Sequence, residues 1–147
     1  MLLRKIVLFI IGYALYISIE VTFRGYSFVL MGICGGLLFL AIDEINERIS
    51  WDTDILLQGC IGSAMITGCE LVVGELNKYF GGFPMWDYSN MWFNFDGVIC
   101  LEYSLIWIGL SIVAVVVADA INYYMFRQLP IPYYKLFGKQ IFKFKEI

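Results

Sequence analysis

Residues 86–107 read WDYSNMWFNFDGVICLEYSLIW, and the fold turns on whether the apolar run that begins here crosses a membrane with Glu102 a few residues inside it. An isolated carboxylate in hydrocarbon costs several kcal/mol, so Glu102 must be neutral, paired, solvated or bound. The chain around it decides for the membrane. Of 147 residues, 61% are hydrophobic and only 16% charged, and the mean hydropathy of +0.77 is far above that of a soluble domain of this size.

Working outward, four apolar segments stand out at 6–23, 27–42, 55–76 and 98–126. About 20 helical residues cross a hydrocarbon core of about 30 Å. The second segment, SFVLMGICGGLLFLAI, is short for a span; it tilts, thins the bilayer, continues into the polar DEIN that follows, or is re-entrant. The first run follows Arg4 and Lys5 in the manner of a signal peptide, but no small-residue cleavage site follows and it is expected to be retained.

Basic residues orient the spans, because Lys and Arg favour the cytoplasmic side near span ends. Arg4, Lys5, Arg48, Arg127, Lys135, Lys139, Lys143 and Lys145 fall on one side of a four-span chain, and Arg24 and Lys78 on the other. The expected fold is therefore an all-α integral membrane protein of four transmembrane helices with both termini cytoplasmic, residing in the cell membrane. Residues 1–126 form the transmembrane domain, and 127–147 a basic and aromatic cytoplasmic tail in which Pro130 and Pro132 stop the last helix. That tail is expected to lie along an anionic inner leaflet or to bind a partner. The stretch 77–97, rich in Trp, Tyr and Phe with Gly81, Gly82 and Pro84 as breakers, suits an aromatic layer at the outer interface.

Composition excludes much chemistry. There is no histidine, and Cys34, Cys60, Cys69 and Cys100 lie in apolar segments without a CxxC pair, which argues against a zinc site or a disulfide framework. Small residues supply helix-packing surfaces: Gly32 and Gly36, Gly59 and Ser63, Ala114 and Ala118. Gly12 to Glu20 and Gly62 to Glu70 share an interval, a hint of a duplicated helix hairpin.

The topology puts Glu20, Glu70 and Glu102 in the outer third of the membrane, and an intramembrane carboxylate is by default a functional-site hypothesis. The expected ligand-binding set is Glu20, Arg24, Glu70, Trp86, Asp87, Tyr88, Asn94, Glu102 and Tyr103, forming an outward-facing carboxylate-lined pocket for a cation, a headgroup or a proton. The opposing reading gives each glutamate a capping, pairing or packing role. Asp43 and Asp119 are placed at the hydrated inner interface without chemistry. No catalytic residues and no cofactor are expected, and the identity of any metal stays open. A membrane enzyme using Glu70 and Glu102 as acid and base lacks a supporting Ser/His, Cys/His or metal constellation.

WDYS at 86–89, the NF before Asp96-Gly97, and the continuation GVICLEYSLIW resemble the family named putative ABC transporter permease, or ABC-transporter type IV, which is also similar to small eukaryotic multi-span membrane proteins. Glu20 and Glu70 match glutamates of that family's first and third spans, and the resemblance covers about 6–126. It implies a transport component. The chain has no Walker A loop, so ATP hydrolysis would need a separate subunit. Expected partners are membrane lipids, further copies of the chain, or a membrane or ATPase subunit, with no nucleic acid. The alternative is a non-transporting module that binds lipid headgroups or other membrane proteins.

Overall fold

The computed structural model describes residues 2–128 and 130–146. Four helices in it are long and apolar enough to span a membrane. Helix α1 runs Leu2–Arg24, α2 Val29–Asp43, α4 Ile55–Tyr79 and α5 Leu101–Ala120, with a one-turn helix α3, Ile45–Arg48, prolonging α2. The protein is a four-span membrane bundle. The short second segment reaches spanning length by running on through α3, so Val29–Arg48 is one apolar unit.

The bundle consists of two helix hairpins. α1 packs along α2, α4 packs along α5, and α2 joins the two pairs by touching both α4 and α5. Glycine makes the first contact possible, because a methyl group on Gly35 would sit 2.4 Å from Tyr16 Cβ, and one on Gly12 would sit 2.4 Å from Phe39 Cβ. In the second hairpin a methyl on Gly62 would meet Ser111 Oγ at 2.6 Å. With lipid tails as apolar as Leu, such close packing replaces the hydrophobic effect as the force between helices. The small-residue intervals thus serve contacts within one chain.

α4 starts where Asp54 accepts a hydrogen bond from Leu56 N at 2.9 Å, a side-chain cap for an orphan helix donor. α5 ends in a π-helical turn, Ile121–Met125, which places Asn122 and Tyr123 inward.

At the end opposite the termini, the outer end on the charge reading above, residues 80–100 make an ordered loop. Strands β1 (Asn94–Phe95) and β2 (Ile99–Cys100) pair antiparallel around Asp96-Gly97. Both turn residues have positive φ, 52° and 67°, and Val98 N donates to Phe95 O at 3.0 Å. This is the mirror-image turn that Asp-Gly favours in hairpins. Trp92 and Phe93 are 76% and 78% exposed, an aromatic rim of the sort membrane interfaces hold.

The tail does not lie flat. Strands β3 (Tyr133–Leu136) and β4 (Lys139–Lys143) form an antiparallel hairpin turned at Phe137-Gly138. Its inward residues Tyr134 and Phe144 join the core cluster of Ile42, Ile45, Ile55 and Tyr123. Asp52 ties the hairpin down, accepting from Tyr133 Oη at 2.8 Å and pairing with Lys135 Nζ at 2.6 Å. The basic and aromatic tail is thus an ordered hairpin packed on the bundle, with Tyr134 and Phe144 buried and Phe137 and Phe142 exposed.

Candidate functional site

Three elements build a polar layer at the outer end. On α1, Glu20 and Arg24 are one turn apart and pair at 2.7 Å. Ser27 Oγ donates to the other Glu20 oxygen at 2.6 Å, and Arg24 also donates to Met85 O at 2.5 Å, binding the end of α1 to the loop before Trp86. Arg24 lies over the Tyr26 ring at 5.0 Å, a cation–π contact.

Deeper in, Glu70 of α4 is 5% exposed. Trp107 Nε1 of α5 donates to one of its oxygens at 3.1 Å, and Tyr88 Oη of the outer loop donates to the other at 3.2 Å. Each donor is held by a second ring: Tyr88 stacks on Tyr103 with centroids 4.7 Å apart, and Trp107 stacks on Tyr16 at 6.4 Å. Burial, with the Glu70 carboxylate beside it, pushes the Tyr88 phenol up, so Tyr88 stays a proton donor across the physiological range. No described basic side chain pairs with Glu70.

Two cavities meet here. An outer cleft of ≈ 440 Å³ is lined by Gly74, Lys78, Trp86, Asp87, Asp96 and neighbouring loop residues. A recess of only ≈ 10 Å³ lies beside Glu70, Tyr16, Cys34 and Cys69. Trp86 borders both, and its Nε1 donates to Val98 O at 2.7 Å.

The expected site residues are not all brought together. Glu102 is exposed on the first turn of α5 while Glu70 is buried, so Glu102 does not join Glu70; Tyr16, one turn before Glu20, lines the recess beside Glu70. A carboxylate in the first turn of a helix is favoured by the positive dipole end and by interfacial water, which explains Glu102 without a ligand. Asp87 and Asn94 build the loop: Asp87 accepts from Ser89 N and Oγ, which hold its carboxyl below the usual range, while Asn94 donates to Ser89 O and Met91 O and accepts from Gly97 N. Lys78 pairs with Asp96 at 2.8 Å and holds that carboxyl low too.

Sequence reasoning missed a second polar cluster at the inner end. Asp43 and Asp119, expected in water, are 2% and 5% exposed. Arg4, itself buried, reaches Asp43 at 3.3 Å and Glu47 at 2.8 Å, and donates to Asn122 and Gln128. Lys5 pairs with Asp43 at 3.1 Å and with Glu44. Asp119 accepts from Asn46 Nδ2 at 2.7 Å and from Tyr134 Oη at 2.8 Å. The signal lay in depth: Arg4, Asp43, Asp119 and Asn122 fall at one level once the helix directions are set. It was obscured because the hairpin that roofs the cluster was read as a tail lying along the inner leaflet or binding a partner.

The sequence pattern described as "Putative ABC-transporter type IV" matches residues 14–143. The chain belongs to that family. The family match runs to the last residue of β4, so it takes in the inner hairpin as well as the spans, beyond the 6–126 of the resemblance. No curated protein and no solved structure matches the chain. This multi-span member of a transport family has a polar layer at one end of its helix bundle and a second polar cluster at the other.

Proposed function

We propose that the chain is the membrane component of a transport system that takes a cation or polar solute through the outer polar layer to Glu70, with Glu20, Arg24, Trp86, Tyr88 and Tyr103 shaping the route. The observation that carries this reading is Trp86, whose ring borders both the ≈ 440 Å³ outer cleft and the recess at Glu70. Swinging one side chain would join the two spaces. Among the described residues Glu70 meets neutral donors alone, so in its ionised form it favours a cation entering beside it. Power would come from a separate ATPase subunit, since this chain has no phosphate-binding loop, and a complete pathway would be assembled from more than one four-span unit.

Proteoliposomes holding the chain, with and without co-purified membrane partners, test this by charge movement on jumps of K⁺, Na⁺ or choline. The expected result is a saturable signal that falls at least about tenfold in Glu70→Gln and is altered in Trp86→Phe. Equal signals in all three proteins, with all three folded, would overturn it. A non-transporting module that holds lipid headgroups is the second reading, favoured by the closure of the recess around a Glu70 whose two oxygens are both already bonded. In that case native mass spectrometry finds a stoichiometric lipid and the liposomes show no flux.

A further inference from the structure

The inner cluster leaves one buried carboxyl group without a cationic partner among the described residues. Among the described residues, Asp43, Glu44 and Glu47 are each in ion pairs with Arg4, Lys5 or Arg48, whereas Asp119 meets only an amide and a phenol. Three cationic side chains thus face four carboxylates. Removing a carboxylate from water without a cation costs several kcal/mol, and two neutral donors offset that only in part.

A second, independent feature points the same way. Asn46, 8% exposed, turns its Nδ2 to Asp119, and that bond fixes the amide so that Oδ1 is the other arm. Asn46 Oδ1 is buried and has no described hydrogen-bond partner. Both described donors to Asp119 use Oδ2, and none reaches Oδ1. Asn46 and Asp119 line one cleft of ≈ 420 Å³ with Glu47, Asn122, Gln128 and Trp51. An acceptor oxygen without a donor beside a carboxylate without a cation is a site for something positive.

We infer that this inner cleft binds a hard monovalent metal cation, Na⁺ or K⁺, between Asn46 and Asp119. The candidate donors are all oxygens, with no thiolate or imidazole to select a softer metal. A single uncompensated carboxylate matches a single positive charge. The Asp43, Glu44 and Glu47 carboxylates, which also lie close together, are held by Arg4 and Lys5 and play no part in the inference. Tyr134, whose phenol is pushed up by burial and by the neighbouring Asp119, remains a donor that orients the carboxylate toward the cleft.

The test uses the full chain in lipid nanodiscs, replacing N-methylglucamine chloride by NaCl, KCl, MgCl₂ or CaCl₂ at fixed ionic strength. The part of the tryptophan fluorescence change that Trp51→Phe removes reads the cleft locally, and thermal melting reads it globally. The expected result is a saturable response to Na⁺ or K⁺ whose apparent affinity drops about 10- to 100-fold in Asp119→Asn and rises in Asn46→Asp. Asn46→Asp keeps the question answerable if Asp119→Asn does not fold. Three results would each overturn the inference: no saturable cation response, a response to Mg²⁺ or Ca²⁺ alone, or an infrared band of a protonated carboxyl at neutral pH that Asp119→Asn abolishes. Failure of the outer transport reading leaves these outcomes untouched, because no readout depends on flux.

Discussion

Glu70 is tolerated inside the bundle because two aromatic donors from different elements are aimed at its two oxygens. Leaving a buried acceptor of this kind without one partner costs about 1–3 kcal/mol. Trp107→Phe keeps the ring stack on Tyr16 but removes the N–H, so it should lower unfolding stability by about that amount; an unchanged melting temperature would show that the bond is not needed. Glu20 and Glu70 were legible from sequence because each interrupts an apolar run. Glu102 met the same criterion and was misplaced, since the run gives depth but not the side of the helix on which a residue stands. Asp119 was legible as a position and not as a buried charge, because its burial depends on Tyr134, fifteen residues away and on another element.

Helix contacts rest on glycine in both hairpins and, in the second, also on hydroxyls, where Ser63 Oγ donates to Ser104 O at 2.6 Å and Thr67 and Ser104 share a bond of 3.0 Å. Gly35→Leu should prevent α1 from seating on α2 and abolish the folded protein in detergent. Gly68→Ala, on a glycine with nothing within 4 Å, should be neutral or add up to about 1 kcal/mol through helix propensity. Thermal melts of the pair check this, and comparable losses would refute the packing argument. The inner hairpin carries a pH signature. Lys135 first, and then Tyr133, hold the exposed Asp52 carboxyl below its ordinary value. The anchoring is therefore fully present above the unfolded Asp value of about 3.9 and is lost as pH falls through the lower folded value. Hydrogen exchange of the β3 and β4 amides should accelerate over that acid window in the native chain and lose the dependence in Asp52→Asn.

At the scale of the whole molecule, two helix hairpins carry a polar layer near each end, the outer one roofed by the aromatic loop and the inner one by the strand hairpin. Removing residues 130–146 should strip Tyr134 from Asp119 and expose Ile45, Ile55 and Tyr123, lowering the melting temperature while the four spans still insert. A truncated chain as stable as the intact one would make the inner hairpin an ornament to the fold.

Hydropathy and the distribution of Lys and Arg determined four spans, their rough limits and the aromatic outer loop, because transfer into hydrocarbon is a property each segment settles by its own composition. Apart from one-turn pairs within a helix such as Glu20 and Arg24, which polar groups meet was decided by tertiary structure. The partners of Glu70 come from α5 and the outer loop, those of Asp119 from α3 and β3, and those of Asp43 from α1 and the π-helical turn. Such meetings depend on helix rotation and on where a hairpin folds back, quantities set by the packing of glycine against neighbouring rings and by the seating of Tyr134 and Phe144 on the bundle, and no single segment contains them.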